Sequence, residues 1–405
     1  MGLAAAQALL VFRFVIALLR WKRRLVDDVQ APNASVILCL RGGDPFLADC
    51  IKGLLSQDYP NFQVHVVVDH KDDPANSILH SLLPKHDSGD VTIHYLDPSV
   101  ETCSLKCSSV VQAVRTLDRS CEFIAQLDAD TVPHRTWLRE LATALADDRV
   151  GAASGNRWYM PQSVTVGSMV RYVWNAAAVV QMHSYEIAWG GTLAVKMRVL
   201  RETNLLDKWS TAFCEDTMLF TFLRNENLRV AFVPSLMMVN RESCDLGGFF
   251  RWVCRQLLTA KLYHPAWLAV LGHGIITTVV PVFTLLLLIG AALVGNATAA
   301  IWLFAALACY QLAITVILLP MEYAIRKIVS SRGEQKDWMG VGGVCLFLAA
   351  VPLTQLVYAA ALWSTSRLRS VIWRGIRYDI AGPWNIKRGA YRPYQSNAED
   401  GSSSI

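Results

Sequence analysis

The chain has 405 residues, 53% of them hydrophobic and 18% charged, and its mean hydropathy is +0.31. That composition excludes an ordinary soluble domain, because the surplus of apolar side chains needs a bilayer to take it up. The formal charge of +5 is modest, and Lys and Arg cluster beside the apolar segments, a pattern that suits anionic lipid headgroups and argues against nucleic acid as a partner.

The run from Leu3 to Leu19 is apolar except for Arg13, and Arg20-Trp21-Lys22-Arg23-Arg24 follows it. Residues 1–24 therefore read as a transmembrane anchor with a basic flank, which places the following domain in the cytosol, at a plasma or internal membrane. A cleaved signal peptide would carry its charges before the apolar stretch. Ser35 to Leu40 is a buried strand, Phe46 to Ser56 a helix, and Val64 to Val68 a second strand with Asp69 at its carboxyl end. Together they make a βαβ unit, in which ligands bind beyond the carboxyl ends of the strands. Val91 to Leu96 continues the strands, Ser104 to Leu117 is helical, and Phe123 to Leu127 delivers Asp128. Val150 to Ser154 reads as a short strand, Val164 to Met182 as a helix, Trp189-Gly190-Gly191 as a tight loop, and Ala212 to Leu223 as a helix that begins with Glu215-Asp216. Strand and helix alternate over residues 33–240, which predicts one mixed α/β domain.

Leu246 to Tyr263 carries apolar residues on one side with Arg251, Arg255 and Lys261 near them, so residues 245–263 read as an interfacial amphipathic helix. Residues 264–363 form a membrane region: Ala266 to Val294 and Ala297 to Leu319 are spans joined as a hairpin, and Met339 to Trp363 is a third candidate interrupted by Pro352 and Gln355. Three crossings would put the tail outside, whereas its Arg and Lys residues argue for the cytosolic side, so the third segment is expected to be re-entrant or packed as a broken helix. Residues 364–395 read as a basic juxtamembrane tail and 396–405 as disordered. The ten cysteines are scattered without paired spacing, which predicts reduced thiols and no disulfide-linked partner. Cys103 and Cys107 lack the second pair that a zinc site needs.

Three clusters carry chemistry. Asp128 and Asp130, one residue apart on extended backbone, point the same way and suit one hard cation, Mg2+ or Mn2+, that would bridge diphosphate oxygens. Glu215-Asp216 is either an N-cap pair or holds the general base, Asp216, for an acceptor hydroxyl. Arg251-Trp252, with Arg255-Gln256 one turn on, is either a membrane-snorkelling cluster or a grip on a departing diphosphate. His183, ahead of the Gly-Gly loop, is a sugar or acceptor contact or a structural histidine.

These residues together resemble the family 2 glycosyltransferases from about Ser35 to Trp252. Leu54-Leu55-Ser56-Gln57-Asp58-Tyr59-Pro60 is similar to that family's helix-ending motif, and Val66-Val67-Val68-Asp69 to its uracil-contacting aspartate. Lys106 stands where the family places a lysine before the metal triplet, Gly190-Gly191 matches its acceptor loop, and Glu215-Asp216 its catalytic pair. Arg251-Trp252 ends its Gln-x-x-Arg-Trp motif, although Gly248 stands where that motif has Gln or Arg. The tail run Trp373-Arg374-Gly375-Ile376-Arg377-Tyr378 resembles the Trp-Arg-Gly-x-x-Tyr signature of ceramide glucosyltransferases and their bacterial relatives. The resemblance implies a glycosyltransferase-A-like, Rossmann-like cytosolic domain between an N-terminal transmembrane helix and a C-terminal helical membrane region. It also implies a metal-dependent, inverting transfer of one hexose, glucose above all, from a UDP-hexose donor to a lipid acceptor such as ceramide or diacylglycerol.

Two rivals stand beside this expectation. A processive polysaccharide synthase of the cellulose or hyaluronan type needs more spans than follow residue 263. A scaffold that binds nucleotide sugar without turnover would keep its effect when Asp216 is replaced by Asn.

Overall fold

The computed structural model describes residues 2–83, 91–334 and 341–395. The segment 396–405 and the start of the third apolar run, Met339 and Gly340, lie outside the described residues. The chain opens with the apolar helix α1 (Gly2–Arg20), then alternates β1 (Ala34–Leu40), α2 (Leu47–Leu55), β2 (Phe62–Val68), α3 (Pro74–Leu82), β3 (Val91–Tyr95), α4 (Leu105–Thr116) and β4 (Phe123–Leu127). It continues through α5 (Trp137–Leu145), β5 (Val150–Tyr159), α6 (Val166–Tyr185), β6 (Thr192–Lys196), the short α7 (Met197–Glu202) and α8 (Leu205–Trp209), α9 (Leu219–Asn225) and β7 (Arg229–Asn240). After these come α10 (Leu246–Tyr263), α11 (Trp267–Leu293), α12 (Ala297–Ser331), α13 (Val341–Arg367), β8 (Ser370–Trp373), β9 (Ile376–Gly382) and β10 (Asn385–Arg388).

Seven strands form one sheet in the order β3-β2-β1-β4-β6-β5-β7. Its centre is apolar on both faces, as the continuous Val, Ile and Leu runs require. The strand β6 runs antiparallel to β4 and β5, whereas β5 and β7 are parallel. Because Leu127 pairs with Thr192, the Gly190-Gly191 loop that enters β6 lies at the edge where β4 ends. The far ends of β5 and β7, Tyr159 and Asn240, pair with each other in parallel register and reach that same edge. One rim of the sheet thus gathers the loops after β1, β2, β4, β5 and β7 and the loop before β6.

The strand at β5 is longer than its sequence announces. Expected to stop at Ser154, it runs on to Tyr159, because its register with β7 slips between Ser154 and Asn156. Pro234, which has no N–H to donate, falls in the β7 stretch that this slip leaves without a partner.

Among the described residues, four helices are long and apolar enough to cross a membrane: α1, α11, α12 and α13. The helix α1 is fastened to the sheet domain through its basic flank, where Trp21 Nε1 donates to Ser235 Oγ at 3.1 Å and Arg23 Nε pairs with Glu140 at 3.0 Å. The C-terminal half of α12 is also tied down, since Glu322 Oε2 accepts from Trp158 Nε1 at 3.0 Å and Tyr172 Oη at 2.8 Å. The remaining lengths of α11 and α12 pack on each other and expose large apolar side chains such as Phe283, Leu286, Trp302 and Phe304.

The structure corrects three expectations in this half. The third apolar segment is not a broken helix: α13 is continuous through Pro352, and the Leu348 carbonyl, which a helix would pair with residue 352, accepts from Gln311 Nε2 at 3.3 Å instead. It packs along its length on α6 and α10. The helix α10 is not laid free on an interface, because Phe249, Trp252, Val253, Leu257 and Leu258 are buried against those neighbours. The tail is not a bare basic stretch either. β8, β9 and β10 form a three-stranded antiparallel sheet whose Ile376, Tyr378, Ile380 and Ile386 are buried in the core beside α4. Alternation of apolar and charged residues over Ile376 to Ile380 is the pattern of a strand with one buried face, and it outweighs the high Arg and Lys content.

His264 closes α10 with its Nδ1 accepting the Ala266 N–H at 3.1 Å, so the ring is held neutral. Burial pushes its pKa from 6.5 down to about 4. The unfolded chain takes up a proton before the folded one does, so stability present above about pH 6.5 is lost as pH falls toward 4, by about 3 kcal/mol in all. Unfolding of detergent-solubilised protein between pH 7 and pH 4 should show that slope, and His264→Gln should flatten it.

Candidate functional site

The sheet rim is lined by carboxylates that burial and backbone geometry force together. Asp69 follows β2 and is 3% exposed. Its Oδ2 accepts from the Arg41 guanidinium and from the Tyr394 N–H at 3.0 Å, while Oδ1 carries no hydrogen bond. Asp128 and Asp130 follow β4. The Gln57-Asp58-Tyr59-Pro60 motif fixes the backbone just beyond them: Gln57 bonds the His134 carbonyl and the Leu138 N–H, and Arg139 reaches back to Asp58. The motif is thus a brace for the loop that presents the two aspartates.

Lys106, in the first turn of α4, lies 2.7 Å from Asp128 Oδ1 and 2.8 Å from Glu215 Oε1. Burial alone would lower its pKa, but the two carboxylates outweigh burial and hold it well above the usual range. Asp128 gains in turn: desolvation, the largest single influence, raises its carboxyl, but the charge and hydrogen bond of Lys106 together with the charges of Arg157 and Arg255 outweigh it, and the net direction is downward. Glu215 is raised, chiefly by burial.

Glu215 and Asp216 do not begin a helix, as the sequence leads one to expect. The helix α9 starts at Leu219, and the pair sits in the irregular turn before it. Both side chains are committed elsewhere: Glu215 turns inward to Lys106, and Asp216 binds backbone N–H groups with both oxygens, Oδ2 from Gly190 at 2.8 Å and Oδ1 from Thr217. Such side chain to backbone bonds compete with helix formation. The Gly-Gly loop is needed at this convergence. A Cβ on Gly190 would stand 3.0 Å from Lys106 Nζ and 3.2 Å from Asp216 Oδ2, and one on Gly191 would stand 2.8 Å from Asp128 Oδ2.

Two cavities meet here. One, of about 1290 Å³ including space open to solvent, is lined by Asp69, Lys106, Asp128, Asp130, Glu215 and Asp216, and by Arg41, Arg157, Arg255 and Arg374. The other, of about 1520 Å³ counted the same way, is walled by apolar residues of α1, α6 and α10 to α13 and includes Leu10, Val173, Val270, Leu318 and Val351. Arg157, Trp189, Asp216, Trp252, Gln256 and Thr259 line both. The Arg157 guanidinium lies 4.6 Å from the ring centre of Trp189 and 5.1 Å from that of Trp252, so cation–π contact holds it at the junction.

Not every residue singled out in the sequence arrives at this junction. Arg251 stands exposed and lines neither cavity. One helical turn on, Arg255 faces the polar cavity and Gln256 faces both. Gly248 lies in the first turn of α10, where its N–H is capped by Asp245 at 2.6 Å. His183 is a packed histidine: its ring sits between Phe14 and Phe232 at 5.4 and 4.9 Å, and burial lowers its pKa. Trp373 and Arg374 come to the polar cavity from the C-terminal sheet. Sequence reasoning missed Arg41, Asp44, Arg157, Trp189 and Glu242. Arg157 lies on the extension of β5 beyond Ser154, which depends on the slipped pairing with β7.

Among the described residues, no three His, Cys, Asp or Glu side chains form a ready-made metal cage. Asp130 nevertheless fits a cation ligand. Desolvation first, and then the negative charge of Asp128 with Asp44 and Glu242 behind it, raise its carboxyl to about 6. Neighbouring half-buried carboxylates that oppose each other's charge are a hard-oxygen donor set, and Mg2+ or Mn2+ completes such a set with water and substrate phosphates.

Replacing Lys106 with Met should destabilise the fold by about 3 kcal/mol, because Asp128 and Glu215 lose their shared counter-charge. Chemical unfolding of the variant beside the parent chain measures it.

A search of curated proteins finds no significant match to the sequence. Among solved structures, a mannosyltransferase from Pyrobaculum calidifontis, in complex with GDP-Man and Mn2+, is 17% identical with a TM-score of 0.48, over 90% of this chain and 97% of that one. Glucosyl-3-phosphoglycerate synthase from Mycobacterium tuberculosis, with Mn2+, UDP-glucose and glycerol 3-phosphate, is 13% identical with a TM-score of 0.39, over 60% of this chain and 87% of that one. The profile of glycosyl transferase family 21 matches residues 3–384, nearly the whole chain, and the protein belongs to that family of glycosyltransferases.

Proposed function

We propose that the protein transfers a single hexose, glucose in the first instance, from a UDP-sugar to the hydroxyl of a membrane lipid such as ceramide or diacylglycerol, with inversion at the anomeric carbon. The observation that carries this reading is the meeting of a charged cavity and an apolar cavity at Asp216. A sugar nucleotide needs the first, a lipid chain needs the second, and the atoms that react must sit where both are accessible.

Asp216 acts as general base. Gly190 and Thr217 fix its carboxylate, which takes the proton of the acceptor hydroxyl as the hydroxyl oxygen attacks the anomeric carbon. The bond from that carbon to the diphosphate oxygen breaks as the new glycosidic bond forms, and a single displacement needs no second nucleophile. The Arg157 and Arg255 guanidiniums, on the polar side of the junction, stabilise the negative charge that the leaving diphosphate gains. Asp69 is the group for the base: the unpartnered Oδ1 is an acceptor for a nucleobase N–H. Asp128 and Asp130 would hold a divalent cation, which when bound neutralises diphosphate charge. The apolar cavity admits the lipid from the side of α1, α11 and α12, and its few polar lining groups include Gln181, bonded to His273 at 3.1 Å, and Gln355, bonded to Tyr310 at 3.2 Å.

Purified protein given radiolabelled UDP-glucose, Mn2+ and mixed lipids should produce an organic-soluble glycolipid; a water-soluble polymer, or no product from any common UDP-hexose, would overturn the reading. Asp216→Asn should lower kcat about 10²- to 10⁴-fold while UDP affinity stays within a few-fold.

A further inference from the structure

The C-terminal sheet sends one hairpin tip into the polar cavity. Its strands β8 and β9 are joined by Arg374-Gly375, and both residues have positive φ, +50° and +76°. Two-residue hairpin turns demand that geometry, and Gly375 meets it without strain. Arg374 does not, since a long side chain disfavours the left-handed region, where Asn or Gly is usual. The reason for an arginine here lies in what its side chain reaches.

The side chain is instead used in the cavity. Arg374 lines it beside Arg157 and Arg255, and Arg255 is stacked at 4.6 Å on Trp373, the residue before the turn. Backbone contacts seat the tip: Arg41 Nε donates to the Arg374 carbonyl at 2.9 Å, and Arg374 Nη1 donates to the Arg41 carbonyl at 3.2 Å. Arg374 Nη2 also pairs with the buried Asp44 carboxylate at 3.7 Å, an ion pair that aims the guanidinium along the cavity wall. The three guanidiniums are near enough to oppose one another: desolvation first, then the charges of Arg157 and Arg374, push the Arg255 pKa down to about 10. Like charges drawn together on three separate elements, β5, α10 and the β8–β9 turn, make a receptor for a polyanion.

We propose that Arg374 is a donor-binding residue, closing with Arg157 and Arg255 a three-arginine clamp on the diphosphate of the sugar nucleotide. The C-terminal sheet is on this account part of the donor site. The same unit carries Tyr391 and Tyr394, which bond the Asp69 carbonyl and carboxylate at 3.0 Å each, so one appendage covers both ends of the nucleotide. The clamp rests on the donor reading given above.

The test is binding of UDP and of uridine to full-length protein in lipid nanodiscs, with uridine read by competition against radiolabelled UDP. Arg374→Gln leaves the turn's backbone bond to Arg41 in place and removes the charge. It should weaken UDP on the order of 10- to 100-fold and leave uridine unchanged. Arg374→Lys keeps the charge and should retain most of the UDP affinity. Arg377→Gln, on the same hairpin and paired with the exposed Asp379, should alter neither. Equal UDP affinity in Arg374→Gln and the parent overturns the clamp. So does a parallel loss of UDP and uridine, or an equal loss in the Gln and Lys variants, either of which marks a structural role. A raised KM for lipid at unchanged UDP affinity would move Arg374 to the acceptor side and also overturn it. A parent chain that binds no UDP at all would overturn the donor reading itself, a result separate from these.

Discussion

A single ammonium group holds the site together. Lys106 Nζ lies within 2.8 Å of Glu215 and 2.7 Å of Asp128, and so ties the first turn of α4 to the end of β4 and to the turn before α9. Without a shared counter-charge those carboxylates would repel in a cavity where water screens them poorly. The arrangement leaves room for nothing else: the Gly-Gly loop threads between Lys106, Asp128 and Asp216 where a methyl group would collide. Asp216, oriented by that loop, inherits its position from the ion pairs around it.

The second organising feature is the segregation of polarity across the junction. Arg157 is clasped by Trp189 and Trp252, and Trp252 also packs edge-on against Trp174 and Tyr159 at 5.5 and 6.2 Å. On one side of this aromatic wall are carboxylates and guanidiniums; on the other, aliphatic side chains from five apolar or amphipathic helices and α6. An indole presents a hydrocarbon face to one side and a quadrupole to the cation on the other, which makes tryptophan the natural residue for such a boundary.

Much of this was readable in the residues. Short apolar runs bounded by Gly, Pro and Asp located β1, β2 and β4, and so placed Asp69 and Asp128 at strand ends, because burial on both faces leaves few other readings of such runs. What stayed hidden depended on tertiary company. Glu215-Asp216 resembled a helix start until its partners, Lys106 and Gly190, were known. The extension of β5 to Arg157 required its slipped pairing with β7, which no local pattern signals. The C-terminal sheet was masked by its own charge: positions such as Arg377 and Asp379 alternate with the buried Ile376, Tyr378 and Ile380, and count as basic tail until the alternation is weighed. Arg251 and Arg255 differ by one helical turn, and only the rotation of α10 against α6 and α13 decides which of them faces the cavity.

The hydrogen bonds between Arg41 and Arg374 join positions 333 residues apart. The wall they share closes between the loop after β1 and a hairpin that follows α11, α12 and α13 in the chain, so the polar cavity is complete only when segments on both sides of the apolar helices have met. Residues 34–242 hold the carboxylates of that cavity, while Arg255 and Arg374 of its cationic wall come from later elements.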